Sequence, residues 1–99
     1  MALDLGMKIL IVEDFNVTRK LEIKALAKIG FHNIVEAENG ESAIRKLKEQ
    51  ADIDLIISDW NMPVVNGYEF LKWVRAEESC RNIPFIMVIA RQRKRMPPK

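Results

Sequence analysis

Four short apolar runs constrain the fold of this chain more than any other feature: residues 8–12 (KILIV), 33–37 (NIVEA), 55–58 (LIIS) and 85–90 (FIMVIA). Runs that are apolar on both faces predict a parallel sheet covered by helices on both sides. Helical spacing fills the gaps between them. Val17, Leu21, Ala25 and Ile29 recur every fourth residue and stop before Gly30, a helix terminator. Ala43, Ile44 and Leu47 make a second stripe, and Phe70, Leu71 and Val74 a third that follows Gly67. Strand and helix alternate, as right-handed crossovers require, so the fold class is α/β.

Acids stand where two of the runs end. The first leads into Glu13-Asp14 and the third into Asp59. In an open parallel sheet, sites form beyond the carboxyl ends of the strands, where strand order reverses. If the first and third strands are neighbours, these three acids meet in one pocket. Two like charges about 4 Å apart repel by roughly 4 kcal/mol at an effective dielectric of 20. Such a set takes up protons or binds a cation. A hard, oxygen-seeking ion suits it, with Mg²⁺ the best candidate. No His or Cys lies in these segments, which argues against zinc. Any one of the acids, alone, reads as a solvated strand end or a helix cap.

Together, ILIVEDF, EAENG and SDWNMPVVNGYEFLKWVRA resemble response-regulator receiver domains, most closely the single-domain chemotaxis type, in register over residues 8–90. The resemblance implies a flavodoxin-like, doubly wound parallel sheet. Shortened to four strands in the order 2-1-3-4 and three helices, it would occupy residues 1–90. It implies phosphorelay signalling, not a conventional enzyme: Asp59 would accept a phosphoryl group from a phosphohistidine on a sensor histidine kinase. By the same resemblance Asp14 binds Mg²⁺ directly and Glu13 through water, while Asn61 offers its backbone carbonyl. Met62 and Pro63 shape the loop after Asp59, and Gly67 allows a close turn into the third helix. A flagellar motor switch protein is the kind of downstream target implied.

Two departures from that pattern stand out. Ile89 occupies the place of a Thr or Ser whose hydroxyl donates to the phosphoryl group; a hydrogen bond to a charged group is worth about 1.5–3 kcal/mol. A fifth strand carrying a Lys is not found either, so an impaired switch is expected, with a degenerate receiver serving as an interaction module as the alternative. An exposed fourth strand would invite a homodimer, edge to edge through residues 85–90 or by exchange of elements. Residues 91–99 carry five bases and no acid, against eleven bases and fourteen acids before them. This basic tail has no aromatic residue and no DNA-binding motif around it, so a solvated terminus is favoured over a nucleic-acid contact. One cysteine, Cys80, permits no internal disulfide, and with no run long enough for a membrane the expected compartment is the cytoplasm. Trp60 is expected beside the site, Trp73 and Tyr68 on or beside a packed helix face, and His32 in a surface turn.

Overall fold

The computed structural model describes residues 4–89. Its elements alternate as β1 (Ile9–Val12), α1 (Asn16–Ile29), β2 (Ile34–Ala37), α2 (Gly40–Glu49), β3 (Leu55–Asp59), α3 (Gly67–Ala76) and β4 (Phe85–Val88). All strand pairs are parallel, in the order β2-β1-β3-β4.

β1 lies at the centre because it can be buried on both faces. Successive side chains point to opposite sides of a strand. Leu10 and Val12 join one apolar cluster with Ala43, Leu47, Ile56, Phe70 and Val74, under α2 and α3. Ile9 and Ile11 join Phe31 on the other side, where Ile23 and Leu26 of α1 pack on them. Each such Ile or Leu contributes about 1.5–3 kcal/mol when fully buried. The chain is thus three layers, with the sheet in the middle.

The helix boundaries follow from local chemistry. Asn39 caps α2 by accepting from Ser42 N–H, and Asn66 and Glu69 form a reciprocal capping box at the start of α3. α1 ends at Gly30, whose φ of 123° is open to glycine and strained for other residues. The Phe31 N–H turns back to Leu26 O at 2.9 Å.

Two sequence expectations need correction. The four-residue stripe of α1 marks a helix but not its buried side: Val17, Leu21, Ala25 and Ile29 all face outward. The face on the sheet is carried by Arg19, Ile23 and Leu26 instead. The fourth strand ends at Val88, with Ile89 beyond it; Ala90 and the basic tail lie outside the described residues. Among the described residues no helix is long and apolar enough to cross a membrane.

Candidate functional site

Register decides where the acids meet. Val12 pairs with Ser58 across β1 and β3, so Glu13, Asp14 and Asp59 leave the sheet at the same edge. One carboxylate oxygen from each lies within 4.8 Å of the others. Glu13 and Asp59 are only 5% and 7% exposed, whereas Asp14 opens to solvent.

Backbone amides hold the two buried acids in place. Phe15 N–H donates to Glu13 Oε2 at 3.1 Å. Trp60 N–H donates both to Asp59 Oδ1 and to Val88 O, each at 2.9 Å, so the β3–β4 ladder also aims Asp59. Burial raises the Glu13 carboxyl from its ordinary 4.5 to about 7, with the charges of Asp59, Glu22 and Asp14 adding to the rise. Asp59 is raised too, first by burial and then by Asp14, against the pull of the Trp60 and Asn61 amides. Among the described residues no ion pair reaches any of the three acids.

The loop after Asp59 is held by packing. Met62 is buried in the α2–α3 cluster, Val65 rests against Gly40, and Pro63 is exposed. A Cβ on Gly67 would lie 2.3 Å from Asp59 O and 2.8 Å from Trp60 Cα, so only glycine allows α3 to start this close to the site. Val64 sits in the left-handed region at φ 67°, unusual for a β-branched residue.

The remaining candidates fall into place around this pocket. Asn61 follows Trp60 on the loop, exposed. Ile89 comes directly after Val88, the residue that pairs with Asp59, so it stands at the rim. Trp60 stacks on Tyr68 at 6.0 Å between centroids, with the Lys72 ammonium over the Tyr68 ring; both rings are half exposed. Trp73 packs on the α2–α3 core, and His32 is exposed in the turn before β2. Cys80 lies at the opposite end of the sheet, buried beside cavities of about 270 and 230 Å³, and burial raises its thiol further. It has no part in the acidic pocket.

Sequence spacing missed two residues of α1. Arg19 is buried against the Glu13 peptide, and Glu22 is half-buried with its carboxyl raised by burial and by the charge of Asp59. The available signal was their three-residue steps from Asn16, which place them on one helix face.

An all-oxygen pocket with two buried carboxylates, and no ion-pair partner for them among the described residues, fits Mg²⁺ by donor chemistry. Its surroundings match known proteins. A family model described as the response regulator receiver domain matches residues 9–98. The chemotaxis protein CheY-3 of Vibrio cholerae is 39% identical over 92 residues, which cover 93% of this chain and 70% of that protein. The structure of the chemotaxis response regulator CheY4 of Vibrio cholerae superposes with a TM-score of 0.76 at 34% identity, covering 83% of this chain and 67% of that one. The receiver domain of a sensor histidine kinase from Pseudomonas aeruginosa, solved with a magnesium ion in its active-site cleft, gives a TM-score of 0.76 at 32% identity, covering 83% and 66%. With the sheet order, the acids at its edge and these relatives in agreement, the chain belongs to the response regulator receiver domain family.

Proposed function

We propose that this chain is the phosphoacceptor of a chemotaxis-type phosphorelay, taking a phosphoryl group on Asp59 from a phosphohistidine of a sensor kinase. The observation that carries the reading is the trio of carboxylate oxygens within 4.8 Å, two of them buried and none neutralised by an ion pair among the described residues. Glu13, Asp14, Asp59 and the Asn61 backbone carbonyl would hold Mg²⁺. When bound, the ion neutralises the pocket and the oxygens of the incoming group.

The chain's own residues supply position. The Trp60 amide fixes one Asp59 oxygen and favours the ionised carboxylate that must act as nucleophile. An Asp59 oxygen bonds to phosphorus as the P–N bond breaks. The electron pair leaves on the imidazole nitrogen, and the product is an acyl phosphate. Ile89 at the rim offers no donor to that group, so the response to phosphorylation is weakened. A motor-switch type of target would read it.

The test is the intact mass after incubation with Mg²⁺ and acetyl phosphate. One added phosphoryl group is expected in the native chain, and none in Asp59→Asn or without Mg²⁺. An equal gain by Asp59→Asn would sink the assignment.

A second reading, an interaction module that forms a homodimer, is favoured by a specific surface. Among the described residues β4 is an outer strand, with Ile86 on it 49% exposed and Ile89 just beyond it 67% exposed. The outward stripe of α1 adds apolar surface on the same side of the sheet as Ile86.

A further inference from the structure

Arg19 is 9% exposed, on a helix whose apolar stripe of Val17, Leu21 and Ile29 faces water. A guanidinium is buried only when its donors are used. Here each of its nitrogens has a partner on a different segment. Nη1 donates to the Glu13 carbonyl at 2.7 Å, and Nε to Glu36 Oε1 of β2 at 2.9 Å. Nη2 donates to Asn16 Oδ1 at the start of α1. One planar fork therefore joins the ends of β1 and β2 and the first turn of α1.

Glu13 is the residue gripped. Its N–H donates to Ala37 O at 3.1 Å, its carbonyl accepts from Arg19, and its carboxylate accepts from Phe15 N–H. The charge of Arg19 is matched elsewhere, by Glu36, which Lys20 also approaches. The guanidinium thus fixes the Glu13 peptide without pairing with its carboxylate, and the pocket keeps the negative charge that a divalent cation needs.

We propose that Arg19 is a positioning residue that sets Glu13 for a small, rigid cation and so gives the pocket its preference for Mg²⁺ over Ca²⁺. The proposal rests on the metal-binding reading above. Mg²⁺ demands near-ideal octahedral geometry, whereas Ca²⁺ accepts irregular shells at longer distances. Loosening Glu13 must then harm Mg²⁺ binding more than Ca²⁺ binding. Lysine keeps the charge but cannot reproduce the three-way fork.

The test is calorimetric titration of the full chain with Mg²⁺ and, separately, with Ca²⁺, in the native protein, Arg19→Lys and Leu47→Ala. Leu47→Ala loosens the opposite layer and controls for lost stability alone. Arg19→Lys is expected to weaken Mg²⁺ binding about 10-fold and Ca²⁺ binding less than about 3-fold, in line with the loss of a group that orients a metal ligand. Leu47→Ala should leave the ratio unchanged. If Arg19→Lys does not fold, Glu36→Gln, which slackens one arm of the fork, is titrated in its place with the same expectation. An unchanged ratio in the Arg19 or Glu36 variant overturns the proposal while the metal site stands. A native chain that binds neither ion overturns the metal reading, and this proposal with it.

Discussion

Burial and the neighbouring acids raise the Glu13 carboxyl from 4.5 to about 7, and that has a measurable consequence. Between those values the folded chain holds a proton that the unfolded chain has released. Stability of the metal-free protein must therefore fall as pH rises through this window, by up to about 1.4 kcal/mol per pH unit for one whole proton. The raised carboxyls of Asp59 and Glu22 act in the same direction. Glu36, lowered by Arg19, acts below 4.5 and leaves the window alone. Thermal melts without metal should show a lower Tm at pH 7.5 than at pH 5.5, and Glu13→Gln should flatten that slope. Mg²⁺ should restore the loss at the higher pH, because it binds the folded chain. Val64 is a second test at this scale. It is 84% exposed at φ 67°, so it strains the backbone and gains little from packing. Val64→Asn should stabilise by about 1 kcal/mol in chemical denaturation, since asparagine tolerates the left-handed region.

The β3–α3 connection is the element on which the site depends. Asp59 closes a strand, Gly67 opens a helix, and the Gly67 N–H donates to Trp60 O at 2.9 Å. Backbone occupies the space that a Gly67 side chain would need. Gly67→Ala should cost about 1–3 kcal/mol in denaturant unfolding, the range for forcing an extra methyl into packed structure. It should also displace Asp59, so phosphoryl uptake per folded molecule falls. The resemblance to receiver domains pointed to the glycine and the Met62-Pro63 pair as loop residues. The reason for the glycine was not. Its φ is not positive, and the demand comes from Asp59 O and Met87 Sδ, which only the folded sheet brings near. α1 teaches the converse: its apolar spacing of four is a true helical period. Which side faces the sheet was settled by the crossover from β1 to β2, and the stripe stayed outside.

Across the whole molecule the uneven covering of the sheet stands out among the described residues. The α2–α3 side buries eleven apolar residues and the α1 side three, and both β4 and α1 leave apolar surface in water. An apolar outer strand is a template for pairing. On the interaction-module reading, light scattering at rising concentration should show a dimer, and Ile86→Lys should return it to a monomer with little loss of secondary structure. A monomer at every concentration would leave the phosphoacceptor reading without its rival. The sequence by itself determined the alternation of strand and helix, the fold class and the acids at the strand ends, because burial on two faces and capping chemistry are written in neighbouring residues. Only the tertiary structure decided that Arg19 grips the Glu13 peptide, that Glu22 comes near Asp59, that the α1 stripe faces water, and that burial raises the Glu13 and Asp59 carboxyls. Those outcomes depend on which segments lie side by side and on how much water is removed between them, and neither is a property of any one stretch of chain.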